Sequence, residues 1–218
     1  MFKYVLTRPQ PDEPGMSVER VLAFGDAVFS IAMTLLVLDI GVPSGLTDSE
    51  VPGAIRDALS EMGSYLLSFA VIGSLWLAEH ALFRMIGRID RVLLYLHLAL
   101  LAVVAALPFP TRLLGEYGHT TVVTALYAAV IAVAIGLVGA MALRLLAVPE
   151  LGNVRLDVRR LRRMIWHDVV VVAVFGTSIP LAFASPGGAK YWWLLLIPIQ
   201  TVLRLRWQAK DDEAAPAA

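Results

Sequence analysis

Residues 20–40 of this chain read RVLAFGDAVFSIAMTLLVLDI. The run is long enough to cross a bilayer, because a spanning helix needs about 20 mostly apolar residues. It nevertheless carries an aspartate, Asp26, well inside the apolar stretch. An ionisable group inside a membrane is costly and usually marks a functional or structural polar contact. The stretch therefore predicts a transmembrane helix that does more than anchor the chain.

The composition of the whole chain extends this prediction to an integral membrane protein. Hydrophobic residues make up 58% of the 218 residues and charged residues only 17%. The mean hydropathy is +0.73, well above what a soluble domain of this length needs. The net charge of zero gives no indication of a nucleic-acid partner, and the absence of cysteine excludes disulfides and thiolate metal sites.

Six segments are candidates for membrane spans. They are 18–40, 62–82, 92–107, 120–146, 168–184 and 191–205, and the second is expected to begin earlier, near Pro52. We expect one transmembrane domain over 17–208, with cytoplasmic tails at 1–16 and 209–218.

The distribution of basic residues predicts the orientation. With six spans and both termini in the cytoplasm, all but three of the 18 Lys and Arg residues lie on the inner side. The three exceptions are Arg56, Arg112 and Lys190. Cytoplasmic loops are enriched in Lys and Arg, so this asymmetry supports a multi-pass protein of the cell membrane with both termini inside.

An enzyme is not indicated by the sequence. The four histidines have no HExxH spacing, and no G-x-S-x-G turn occurs. The pair His167-Asp168 lies where the fifth span is expected to start, and an aspartate at such a place usually caps the helix. No metal site or cofactor is expected.

The first helix has two distinct faces. At about 100° per residue, one narrow face collects the side chains Phe24, Ala27, Ile31, Leu35 and Leu38, with Thr34 at its edge and Arg20 at its foot. Asp26 lies roughly opposite Ile31 around the helix. If Ile31 faces a pore axis, Asp26 must therefore face the other helices of its own chain.

The depth of Asp26 suggests its partners. It lies six residues above Arg20, roughly 9 Å by helical rise. Three titratable residues at the inner ends of spans two and three can share this layer: Glu79, His80 and His97. A buried carboxylate needs such partners. The layer is either a polar network that locks the helices together or part of a proton path.

Three motifs in the same order resemble the prokaryotic branch of the transmembrane protein 175 family, which comprises endosomal and lysosomal potassium channels in animals and shorter bacterial relatives. The family hallmark is R-x-x-x-F-S-D in the first helix, and here the matching residues are Arg20, Phe24, Gly25 and Asp26. The segments SFAVIGSLWLAEHALF, which contains Trp76, and ALPFPTRLLGEYG resemble the signatures of the second and third spans.

Two positions depart from the pattern of the family. Gly25 replaces the serine of the hallmark and so removes one hydroxyl from the polar network. The family often has a histidine three residues after Trp76, where this chain has Glu79 followed by His80. The resemblance therefore does not fix the pairing around Asp26.

The resemblance implies an all-α fold with six spans, assembled as a homotetramer around a central pore lined by the first helices. By the same resemblance, Ile31 is the position of a hydrophobic gate, Leu35 and Leu38 form further constrictions, and Thr34 contributes a ring of hydroxyls. The expected function is a channel weakly selective for potassium over sodium, with the potassium ion as permeant, the lipid bilayer as surroundings and the chain's own copies as partners.

Two other functions stay open from the sequence. Asp26, Glu79, His80 and His97 are titratable and at similar depth, as a proton channel or a proton-coupled pathway requires. A scaffold that conducts no ions would have the same spans.

Overall fold

The computed structural model describes residues 17–38, 40–196 and 198–202. Seven α-helices occur in these ranges: α1 (Val18–Leu38), α2 (Val51–Phe83), α3 (Arg91–Ala106), α4 (Pro108–Tyr117), α5 (Thr121–Ala147), α6 (Val158–Ala184) and α7 (Pro186–Trp193). Five stretches within this part of the chain are long and apolar enough to cross a membrane. They are Val18–Leu38, Met62–Phe83, Arg91–Tyr117, Thr121–Ala147 and Val158–Ala184.

The sixth predicted span, 191–205, is only partly described. α7 ends at Trp193, a turn follows, and helical backbone is present again at 198–202. The remainder of this segment and both predicted tails, 1–16 and 209–218, lie outside the described residues. The count of six spans therefore stays a prediction.

Proline and capping residues explain several helix boundaries. Pro52 lies in the first turn of α2, where backbone N–H groups make no hydrogen bond within the helix, so proline costs nothing there. The predicted early start of the second helix is confirmed. Pro108 interrupts the hydrogen bonding between α3 and α4, but Leu107 keeps a helical backbone there. α3 and α4 together therefore make one stretch, Arg91–Tyr117, that is long and apolar enough to cross a membrane.

The predicted start of the fifth span is wrong. Asp157, not Asp168, is the N-cap of α6, and its carboxylate accepts hydrogen bonds from the backbone N–H groups of Arg159 and Arg160 at 2.9 and 3.2 Å. α6 therefore begins with an arginine-rich turn that the hydropathy pattern assigns to a loop. Asp168 lies within the helix and is 6% exposed.

The two loops that join α2 to α3 and α5 to α6 are bound to each other. The N–H groups of Gly87 and Arg88 donate to the carbonyl of Leu151, at 2.7 and 3.0 Å. The guanidinium of Arg144 contacts the carboxylate of Asp90 at 2.6 Å. Because Asp90 also caps α3, this end of the bundle is held by both backbone and side-chain contacts.

The core lies around α5, whose most extensive contact is with α6. Tyr127, Ile131 and Met141 are fully buried along α5. α1 instead packs at the side of the bundle, against α2 and α3. This position leaves one face of α1 uncovered by the rest of the chain.

Candidate functional site

The packed face of α1 consists of small and large side chains spaced at helical intervals. Val21, Gly25, Phe29, Ala32 and Leu36 are buried. Successive members are three or four residues apart, so they form one stripe along the helix. This stripe fixes how α1 is rotated relative to α2 and α3.

A second face of α1, about 110° around the helix from the packed one, is apolar and open. Phe24 is 56% exposed, Ile31 57%, Leu35 41% and Leu38 73% in the single chain. In a bundle, a row of large aliphatic side chains without contacts from its own chain is a surface for lipid or for another copy. The residues that the sequence analysis grouped as one face thus share one exposed stripe.

Thr34 lies exposed beside this stripe. Its hydroxyl donates to the backbone carbonyls of Ser30 and Ile31, at 3.0 and 2.9 Å. A hydroxyl has one donor and two acceptor lone pairs. Because its hydrogen is used within the helix, the oxygen presents only acceptor sites to its surroundings.

Asp26 faces the neighbouring helix, as the helical geometry predicts. The indole N–H of Trp76 on α2 donates to Oδ1 of Asp26 at 2.7 Å. Hydrogen bonds to a carboxylate are roughly twice as strong as those between neutral groups. This bond ties the first two helices together at the level of the hallmark motif.

Replacing Trp76 by phenylalanine is expected to destabilise the protein. The change keeps most of the aromatic volume but leaves the part-buried carboxylate of Asp26 without its donor, at a cost of about 1–3 kcal/mol. Thermal unfolding in detergent measures this loss. Trp192→Phe is the matched control, because that indole bonds a hydroxyl, Thr177, instead of a carboxylate. Equal losses in the two variants would contradict a special role for the Asp26 bond.

Glu79 and His97 form a second pair beside the first. Oε1 of Glu79 lies 3.1 Å from Nδ1 of His97, and both side chains are 1% exposed or less. The contact lacks hydrogen-bond geometry, and the carboxylate and imidazole atoms have no other protein partner. A buried carboxylate beside an imidazole is an arrangement in which a proton can be shared or bound.

Gly25 makes room for this pair. A Cβ atom added at Gly25 would lie 3.0 Å from Oε1 of Glu79 and 3.0 Å from Cε1 of His97. Gly25 and Glu79, the two positions that depart from the family pattern, therefore lie against each other, and the glycine leaves room for the carboxylate of Glu79.

His80 completes the group of predicted site residues. Its ring lies 5.6 Å from that of Trp76, in a tilted arrangement, and its Nδ1 is buried without a partner. The predicted layer thus consists of two pairs, Asp26 with Trp76 and Glu79 with His97. The pairs adjoin because Trp76 and Glu79 are about one turn apart on α2, and because Gly25, next to Asp26 on α1, lies against Glu79 and His97. Arg20 is exposed in the N-terminal turn of α1.

A chain of buried hydroxyls was not predicted. Thr111 donates to Ser68 at 2.8 Å, and Ser68 lies 2.9 Å from the hydroxyl of Tyr127. These residues connect α2, α4 and α5. Their only signal in the sequence is the presence of polar residues within apolar spans, which does not identify their partners.

Comparison with known proteins agrees with these features. Residues 20–108 match the sequence model of the family described as "Endosomal/lysosomal potassium channel TMEM175". Over these residues, which are less than half of the chain, the sequence is similar to the TMEM175 family. The resemblance inferred from the motifs of the first three spans is thereby confirmed. The matched range contains α1 from Arg20 onward, the Asp26–Trp76 bond and the Glu79–His97 pair.

Two bacterial relatives of this chain are named potassium channels. One from Streptomyces collinus is 46% identical over 102 residues, which cover 45% of this chain and 48% of that protein. One from Chamaesiphon minutus is 42% identical over 112 residues, covering 50% and 53%. The chain thus spans about half the length of these relatives.

An animal member of the TMEM175 family has a different name. The protein from Gallus gallus is called an endosomal/lysosomal proton channel, and it is 36% identical over 126 residues, which cover 54% of this chain and 24% of that protein. The family and these relatives are ion channels and not enzymes, in agreement with the sequence analysis.

A solved structure of the TMEM175 family has the same fold. It is the crystal structure of a lysosomal potassium-selective channel TMEM175 homolog from Chamaesiphon minutus. The TM-score is 0.71 at 28% identity, and the match covers 87% of this chain and 97% of that one. The chain is therefore an all-helical membrane protein with the architecture of this channel.

Proposed function

We propose that copies of this chain form a potassium-conducting channel whose pore is lined by the first helix. The observation that supports this most directly is the open apolar stripe of α1, which has Ile31 near its middle and faces away from the chain's own helices. The bacterial relatives named potassium channels make potassium the expected permeant ion.

The pore requires several copies. A single α1 cannot surround an ion path, so the stripe is shared among copies related by a closed rotation. The assembly is a homotetramer by resemblance to the prokaryotic members of the family. Each α1 is held by α2 and α3 of its own copy, through the Asp26–Trp76 bond and the buried stripe that includes Phe29.

Ile31 forms the hydrophobic gate in this proposal. Four isoleucine side chains around a narrow axis exclude water, and a dewetted constriction blocks ions. Leu35 and Leu38 add further apolar rings toward the outer side. A small rotation of the first helices would widen all three rings together.

Thr34 provides the weak selectivity. Its oxygen offers only acceptor sites, since its hydrogen is bonded to the helix carbonyls of Ser30 and Ile31. Four such oxygens replace part of the hydration shell of a cation. Potassium loses its water at a lower cost than sodium, so a ring of modest field strength favours potassium.

The membrane orientation is part of the same proposal. The arginine-rich first turn of α6 and the joined loops around Arg144 lie at the cytoplasmic side, and both termini are inside. The channel resides in the cell membrane, and no cofactor takes part in conduction.

Ion flux into liposomes tests the proposal. Purified protein is reconstituted, and uptake is measured under a potassium gradient and then under an equal sodium gradient. Faster uptake of potassium than of sodium is expected. Absence of both fluxes, in vesicles that contain assembled protein, would contradict conduction by this protein as isolated.

Replacing Thr34 by alanine is expected to reduce the discrimination between potassium and sodium while conduction continues. The substitution removes the hydroxyl oxygen of every copy and adds no bulk, so the pore stays open. The reversal potential under mixed-ion conditions should shift toward the value of a non-selective pore. Thr34→Ser keeps the oxygen and serves as control. Unchanged reversal potentials in Thr34→Ala would exclude Thr34 as the selectivity position.

A proton channel is the second candidate function, because of one specific observation. The buried pair of Glu79 and His97, with His80 nearby, offers proton-binding atoms that have no hydrogen-bond partner among the described residues. The Gallus gallus relative is named a proton channel. Flux that persists without potassium and follows a pH gradient would favour this candidate, and its loss in His97→Ala would assign it to the pair.

A further inference from the structure

A wide cleft lies on the side of the bundle away from α1. It has a volume of ≈ 870 Å³ and is bounded by α2, α5, α6 and the region of α7. Its walls are mainly apolar, with Leu67, Ile131 and Phe175 as examples. Sites for small apolar ligands in proteins have volumes of roughly 300–1,000 Å³ and combine apolar walls with a few polar groups.

Asp168 is the only acidic residue among the described residues that line this cleft. Its side chain is 9% exposed, and Oδ2 is buried without a hydrogen-bond partner. Oδ1 lies 3.5 Å from Nδ1 of His167, at the limit of hydrogen bonding. An uncompensated buried carboxylate is costly, so a cationic donor that reached it would be bound strongly.

Space beside the carboxylate is left by Gly139 on α5. A Cβ atom at this glycine would lie 3.5 Å from Cβ and 3.6 Å from Oδ2 of Asp168. Any other residue at position 139 would place a carbon atom beside Oδ2, so the glycine leaves this side of the carboxylate less covered.

We infer that the cleft binds a single-chain alkylammonium, with the ammonium group donating to Asp168 and the alkyl chain lying along the apolar walls. A metal cation does not fit, because no cluster of three His, Cys, Asp or Glu residues exists in the described part of the chain. Lys190 also lines the cleft, and the ammonium group is therefore expected at Asp168 and away from Lys190, because like charges repel.

Binding of octylammonium tests this inference. The full-length protein in a neutral maltoside detergent is titrated with octylamine near neutral pH, and with 1-octanol as the uncharged analogue. Tryptophan fluorescence reports occupancy, because Trp193 lines the cleft. Octylamine is expected to bind about tenfold or more tightly than octanol, since a hydrogen bond to a charged group distinguishes the two.

Asp168→Asn is expected to lower the affinity for octylamine about tenfold or more and to leave octanol unaffected. Gly139→Ala should lower the affinity for octylamine as well, because the added methyl group would cover one side of the Asp168 carboxylate. The methyl group lies at ordinary contact distance, so this variant is expected to fold, and it decides the test alone if Asp168→Asn does not fold. Asp48→Asn, which removes an exposed loop carboxylate, is the matched control. Three outcomes would each overturn the inference. The protein could bind octylamine and octanol with equal affinity, or Asp168→Asn and the wild type could bind octylamine with equal affinity. The third outcome is that neither ligand binds because a second copy of the chain fills the cleft.

Discussion

Replacing Ile31 by asparagine is expected to raise potassium flux about tenfold or more. Bringing one isoleucine side chain into contact with water costs about 1.5–3 kcal/mol, and an amide removes this cost from the gate. A reduction of about 1.4 kcal/mol in the barrier corresponds to a tenfold rate. The measurement is the initial rate of potassium uptake into liposomes that contain equal amounts of assembled protein.

Val37→Asn is the matched control for this prediction. It makes the same kind of change on the same helix, at a residue that is 49% exposed but about 120° away from Ile31 around the helix axis. Its flux should remain close to that of the wild type. If Ile31→Asn stays silent although assembled and well expressed, the constriction lies at another ring, and Leu35→Asn is the next variant to test.

Replacing Gly25 by leucine should produce the largest loss of stability among the variants proposed. The first atom of any side chain here would already lie 3.0 Å from Glu79 and from His97. Inserting a large side chain into such packed surroundings costs about 1–3 kcal/mol, and separating the buried pair adds to this. Thermal unfolding of the assembled protein in detergent measures the loss.

The second substitution His97→Ala should restore part of this stability. Removing the imidazole opens space for the leucine, so the two changes together should cost less than the sum of the single effects. Phe29→Ala is the control second substitution, because Phe29 is buried on the same face of α1 but one turn away from Gly25. Additive losses in the Gly25 and His97 double variant would contradict direct contact at this point.

The membrane-spanning stretches and the two different faces of the first helix could be predicted from the sequence. Length and apolarity locate spans, and helical periodicity places Ile31 and Asp26 on opposite faces of α1, because both depend on local geometry alone. The start of α6 could not be predicted this way. The capping strength of Asp157 is local, but hydropathy gives no reason to prefer it over Asp168.

The sequence by itself determined that this is a helical membrane protein that resembles the TMEM175 family and that one face of its first helix differs from the other. Only the tertiary structure decided the pairings: Trp76 with Asp26, Glu79 with His97, and Gly25 as the space between the helices. Pairing depends on the rotation and separation of packed helices, which arise from contacts between residues far apart in the chain. The same contacts bury Asp168 beside the cleft, at a position where the sequence alone suggests a helix cap.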